Sequence, residues 1–250
     1  MDHASSSSNY VVIFLHGARL HKGSMQPIAQ EVIKALPGAE AMFIELPGHG
    51  DRIGEPTSSF TLHSLAADAL ASLEAKMGGV VPWSRIGLVG ESTGALVFAR
   101  MMDLLPEPPA FALFGEPPLS NRPYMKHVEQ DLLAAGDPVS LQLAHALFRF
   151  NEPQTTTWHR HFLQLPCPCL LVYGEGRDDN TSPAERPAVP SIIGPADIEA
   201  LSHAPSLVTV GVAGRGHRLL QGMPRYWASM LRGMVVASGH TSFQHTRFSP

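Results

Sequence analysis

The chain has 250 residues, 44% of them hydrophobic and 16% charged, with a net charge of −4 at neutral pH. That balance excludes a disordered chain, and without a long basic run nothing draws the protein toward nucleic-acid phosphates or anionic lipid. No apolar stretch approaches the roughly 18 residues of a membrane helix, and Met1 to Asn9 lacks the features of a secretion signal, so a cytoplasmic protein with a small-molecule ligand is expected.

In chain order, short apolar runs at Val11 to Leu15, Ala41 to Leu46, Ile86 to Val89, Phe111 to Phe114, Leu170 to Tyr173 and Leu207 to Val212 read as strands. They are continuous rather than alternating, which suits strands covered on both faces in a parallel sheet. Helical stretches separate most of them. One runs from a cap at Ser24 to about Leu36, where Pro37-Gly38 stops it; others cover Leu62 to Lys76, the residues from just after Ser92 to Leu105, and Pro224 to Val236. This rhythm predicts an α/β domain, a mostly parallel, doubly wound sheet of about six strands. The domain is expected over residues 10–238, between a disordered N-terminus at 1–9 and a frayed tail at 239–250. Residues 117–165, with an apolar helix over Pro138 to Phe150, read as a small helical lid inserted between the fourth and fifth strands.

Cys167 and Cys169, two apart on a strand, point to one face, an unusual geometry for a disulfide, and suit a reducing compartment. Together with His159 and His161 they match no standard metal spacing, so no metal site is expected.

Gly90-Glu91-Ser92-Thr93-Gly94 lies between a strand and a helical run, the setting of a sharp nucleophile turn. The glycines remove side chains where backbone segments come close, and the helix that follows aims its N-terminal N–H groups at the reacting centre. A serine hydroxyl is a poor nucleophile at neutral pH and needs a base whose tautomer is fixed by an acid. His217, in Gly214-Arg215-Gly216-His217 just beyond the last strand, is placed to be that base. For the acid, the loop after the fifth strand offers Asp178 and Asp179. Asp179 fits a Gly-x-x-Asp-x-x-x-Pro spacing with Gly176 and Pro183, while Asp178 is nearer the strand end. Glu116, after the fourth strand, is a third candidate, although a surface turn is its ordinary reading.

Negative charge developing on a carbonyl oxygen needs N–H donors. Thr93 supplies one candidate, and Ala18, in His16-Gly17-Ala18-Arg19 after the first strand, a second. Arg19, Glu91 and Glu116 are further candidates for substrate contact; a solvated loop position is the bland alternative for Arg19.

These residues resemble the α/β-hydrolase superfamily, in its branch of small esterases, lactonases, thioesterases and related lyases. The resemblance rests on His16-Gly17, on Leu46-Pro47-Gly48-His49-Gly50-Asp51, on the Ser92 turn, on the Asp178/Asp179 loop and on Gly216-His217, and it spans most of the chain. It implies a cofactor-free acyl transfer: Ser92 attacks an ester, lactone or thioester of partly apolar character, His217 moves the proton, and water releases the acyl group. The Ser, Asp, His order along the chain agrees with it, and Pro47 to Asp51 is expected to be structural. Two departures are visible. The acid loop is a residue or two longer than the pattern, and the chain starts almost at the His-Gly strand, as though the first two strands of the full fold were missing. A lyase or carbon–carbon bond hydrolase using the same residues, or a non-catalytic ligand-binding protein, are the alternative readings.

Overall fold

In the computed structural model, which describes residues 10–55, 60–120, 132–148, 158–175 and 191–238, six strands form one sheet. They are β1 (Val11–Leu15), β2 (Glu40–Ile44), β3 (Ile86–Glu91), β4 (Phe111–Gly115), β5 (Cys169–Gly174) and β6 (Leu207–Val212). The order across the sheet is β2-β1-β3-β4-β5-β6, and every neighbouring pair is parallel. Because side chains alternate along a strand, each strand feeds two cores. Val12, Phe14, Val89, Leu113, Leu170 and Val172 face one, and Ile13, Leu15, Leu88, Ala112, Phe114 and Leu171 face the other. This is why the runs read as continuously apolar.

The first core is closed by α1 (Gln26–Ala35), which packs against the C-terminal helix. The second is closed by α2 (Leu62–Lys76) and α3 (Thr93–Met102), packed on one another. Thr61 caps α2 by accepting from the Ser64 N–H at 2.9 Å. Between β4 and β5 the chain forms α4 (Pro138–Phe148) and α5 (Arg160–Leu163). Leu143 and Leu147 of α4 are buried in the second core. After β5 come α6 (Pro195–Leu201), then, beyond β6, α7 (Leu219–Gly222) and α8 (Pro224–Ser238).

Boundaries move at several places. The strand expected to reach Leu46 ends at Ile44, because the Leu46 N–H is taken by the His16 ring, 3.1 Å from Nε2. The third helix stops at Met102, and the helix expected from Ser24 is preceded by a tight 3-10 turn at Lys22–Met25. Strand β3 continues through Gly90 and Glu91, which brings the serine turn directly off the ladder. The expected lid covers 117–165; of this, 121–131 and 149–157 lie outside the described residues, as do the expected termini 1–9 and 239–250.

Its two sides meet at one neck. Trp158 N–H donates to Leu119 O at 2.7 Å, and the fully buried Asp197 of α6 accepts from Ser120 Oγ and lies against His159 Nε2, each at 2.9 Å through Oδ1. Its Oδ2 accepts from Gly194 N–H at 2.7 Å. No helix among the described residues is long and apolar enough to cross a membrane.

Candidate active site

Ser92 sits at the top of β3 with φ 53° and ψ −120°, a strained conformation for a residue with a side chain. The space around it explains the flanking glycines. A Cβ on Gly94 would lie 2.3 Å from Leu15 O, and one on Gly90 would lie 2.7 Å from the Ala95 backbone. Across the gap, a Cβ on Gly17 would come within 2.9 Å of Ser92 Cβ, so the loop after β1 is pressed against the serine. The turn is pinned from the other side, where the Ser92 N–H donates to Gly115 O at 2.7 Å.

His217 lies in the segment between β6 and α7. That segment packs over the end of β5 so closely that a Cβ on Gly174 would meet Arg215 O at 2.0 Å. The ring is thereby delivered to Ser92, with Nε2 2.9 Å from Oγ. Its Nδ1 lies 2.6 Å from Glu116 Oε2. With the proton on Nδ1 donated to the carboxylate, Nε2 is left as an acceptor for the serine hydroxyl.

Glu116 is fully buried, which corrects the reading of it as a surface turn residue. Its N–H donates to Val172 O at 2.9 Å, holding it to β5 at φ 40°. Besides His217, the carboxylate accepts from Gly174 N–H (2.7 Å) and Ser191 Oγ (2.5 Å) at Oε1, and from Ile192 N–H (3.4 Å) at Oε2. Donors from three separate segments thus converge on a group that can only accept when ionised. Asp178 and Asp179 lie outside the described residues.

Enclosure also corrects the expectation that Glu91 and Glu116 touch substrate. Glu91 is 1% exposed and turned beneath α7, where Oε2 accepts from Gln221 Nε2 at 3.0 Å. Arg19 is exposed at φ 61°, and its N–H donates to Ser140 Oγ of α4 at 3.0 Å. Ala18 lies on the loop that presses on Ser92, and Thr93 is the first residue of α3.

Three contributors escaped the sequence reading. His16 is fully buried, donates from Nδ1 to Gly17 O at 2.7 Å, and holds Nε2 2.7 Å from Glu45 Oε1. It ties the loop after β1 to the loop after β2. Glu45 in turn accepts from Lys22 N–H at 2.9 Å and fills the space a Cβ on Gly50 would need. Ser191 is the third, bonded to Glu116. His16-Gly17 was visible as a motif, but nothing in the sequence pointed to a partner for His16, and Glu45 is only a polar residue at a strand end, a pattern equally common in plain turns.

His49 is buried; its Nδ1 donates to Pro47 O at 3.0 Å, and burial keeps its basicity below the usual histidine range. Among the described residues no group of three or more His, Cys, Asp or Glu side chains is arranged to hold a metal. His159 and His161 face Asp197 and Asp103 instead, and the buried thiols of Cys167 and Cys169 lie 3.6 Å apart.

Comparison with known proteins places this geometry in a lineage. The Alpha/beta hydrolase family model matches residues 12–230. The chain belongs to that family. No curated protein sequence matches it. Many solved structures share the alpha/beta hydrolase fold with it. A bacterial membrane phospholipase A described as a virulence factor has 15% identity and a TM-score of 0.69, over 94% of this chain and 81% of that one. The RedJ thioesterase of prodiginine biosynthesis in Streptomyces coelicolor has 17% identity and a TM-score of 0.62, over 93% and 92%. The esterase RhEst1 from Rhodococcus sp. ECU1013 has 16% identity and a TM-score of 0.61, over 93% and 92%. At such identities the likeness is one of fold.

Proposed function

We propose that this member of the family is a serine hydrolase that cleaves a carboxylic ester, lactone or thioester through an acyl-enzyme, with Ser92 as nucleophile, His217 as base and Glu116 as the acid that orients it. The observation that carries the reading is the continuous chain from Ser92 Oγ to His217 Nε2 (2.9 Å) and from His217 Nδ1 to Glu116 Oε2 (2.6 Å).

In that reading Ser92 Oγ adds to the substrate carbonyl carbon as its proton passes to His217 Nε2, and the imidazolium is stabilised by Glu116. The oxyanion is held by the N–H groups of Thr93 and Ala18, which the fold brings to the same strand end. Collapse of the tetrahedral species expels the alcohol or thiol, which takes the proton from His217. Water then repeats the sequence on the acyl-enzyme and restores the hydroxyl. Ser92 is partly exposed, so a substrate can reach it, whereas Glu116 is sealed from solvent, which strengthens its interaction with the ring.

A fluorophosphonate probe tests the assignment. One adduct at Ser92, located by peptide mass spectrometry, absent in Ser92→Ala and slowed in His217→Ala, is the expected result. Folded wild-type protein that takes up no label would overturn it. An initial burst with aryl esters or acyl thioesters then reports the acyl-enzyme directly.

A further inference from the structure

Glu91 immediately precedes Ser92, yet the alternation along β3 turns it to the opposite side of the sheet, onto the face that carries Val89 and is covered by α7 and α8. There it is enclosed at 1% exposure. One oxygen accepts from Gln221; the other, Oε1, has no hydrogen-bond partner among the described residues. A buried carboxylate with one neutral donor is poorly compensated.

Gln221 belongs to α7, whose first residue, Leu219, is two positions beyond His217. The same helix sets Leu220 over the end of β4, where a Cβ on Gly115 would lie 2.6 Å from Leu220 Cγ. So α7 rests on the sheet through an apolar contact at β4 and a polar one at β3, and both fix the loop that carries the candidate base.

We propose that Glu91 is a positioning residue for His217, acting through the Gln221 strut on the ring's placement and through its own ionisation on the ring's basicity. The inference rests on the serine-hydrolase reading of Ser92 and His217. The titratable and charged groups facing Glu91 are His217 and Arg218 ahead of α7 and Glu116 just beyond β4, with the neutral Gln221 on α7 itself. Burial, more than any neighbour, drives its affinity for the proton up, to a pKa of about 7, while His217, Arg218 and Gln221 pull it down and Glu116 adds to the rise. Below neutrality the carboxyl is therefore neutral and its bond from Gln221 is an ordinary one. Above neutrality it carries a charge that favours the imidazolium form of His217 and strengthens the strut.

The test is an NMR titration of the His217 imidazole nitrogens in the full chain, its signals assigned by their loss in His217→Gln, beside the pH profile of kcat/KM for an aryl ester. In Glu91→Gln, an isostere that keeps a partner for Gln221, the His217 midpoint is expected to fall by about half a pH unit or more, and the acid limb of kcat/KM to move to lower pH with it. In Gln221→Leu, which leaves the carboxyl in place without its donor, the Glu91 step is expected to move upward, and the His217 midpoint to fall because Glu91 then stays neutral over more of the titration. Superposition of the His217 curve of Glu91→Gln on that of the wild type overturns the proposal, as does a lower melting temperature with that curve unmoved. If Glu91→Gln does not fold, an unchanged His217 curve in Gln221→Leu overturns it equally. Fluorophosphonate labelling of the wild type is read separately: its failure removes the hydrolase reading, while the imidazole titration still reports whether Glu91 and His217 are coupled.

Discussion

Ser92 and Glu116 are the first residues beyond two adjacent parallel strands that end in register, Glu91 opposite Gly115, and both adopt positive φ, 53° and 40°. Each turns sharply off its strand at the same level of the sheet. The Ser92 N–H donates to the residue before Glu116, so the nucleophile and the carboxylate share one backbone hinge. His217 comes from the far end of the chain to bridge them.

Removing either reacting partner is expected to abolish turnover. Ser92→Ala or His217→Ala should lower kcat about 10³-fold or more, with substrate affinity little changed. Steady-state kinetics on an aryl ester, supported by a circular-dichroism spectrum matching wild type, checks this; retained turnover in Ser92→Ala would place the nucleophile elsewhere.

The acid is distinguished by its neighbours. Glu116→Gln should reduce kcat about 10²- to 10⁴-fold, because the amide favours the wrong tautomer of His217, and should also destabilise the fold by about 2 kcal/mol as its NH₂ group meets donors. Asp178→Asn and Asp179→Asn should leave kcat within a few-fold of wild type. Parallel kinetics and urea melts on the three variants decide it, and a large loss in either aspartate variant would return the role to that loop.

Stability should depend on pH through Glu91. Its folded-state pKa of about 7 lies above its usual value of 4.5, so between those limits the folded chain holds a proton the unfolded chain has lost. Stability is therefore drained as pH rises through this window, by about 3 kcal/mol once ionisation is complete. Glu91→Gln should thus be more stable than wild type at pH 8, by up to that amount, and show little of this gain at pH 4. Urea unfolding of both proteins at the two pH values measures it; a constant difference refutes the assignment.

At the neck between β4 and β5, Asp197→Ala should cost about 3 kcal/mol, since Ser120, His159 and the Gly194 N–H all lose their buried acceptor. Thermal unfolding reads the loss. A variant as stable as wild type would show that the contacts at Asp197 are incidental.

Gly94→Ala tests the packing of the turn. Its Cβ would run into Leu15 O at 2.3 Å, a backbone atom that cannot step aside, so loss of about 2 kcal/mol or more is expected. Gly17→Ala should act differently, displacing Ser92 and cutting kcat while leaving the melting temperature nearer to wild type.

The sheet and the Ser92–His217 pair were legible because they are written locally: apolar runs give the strands, and small residues around a serine or before a histidine mark the tight turns. Glu116 was legible only as a third candidate, behind the two aspartates. Its selection depends on strand register, which sets Glu91 opposite Gly115, and on the closeness of Gly174 to Arg215, neither of which leaves a trace in sequence spacing. Sequence order favoured the aspartates after β5, while the carboxylate that reaches Nδ1 stands one strand nearer the serine. His16 and Glu45 were missed for a related reason: each makes sense only when the loops after β1 and β2 are side by side.

The groups that hold the Glu116 carboxylate lie at positions 174, 191, 192 and 217, between 58 and 101 residues away along the chain. Contacts so distant in sequence close late, after the loops between them have been tied off. A half-folded chain would already own its serine turn but not its proton relay. Catalytic competence is accordingly a property of the finished molecule, and the appearance of a reactive serine during refolding would time the last step of assembly.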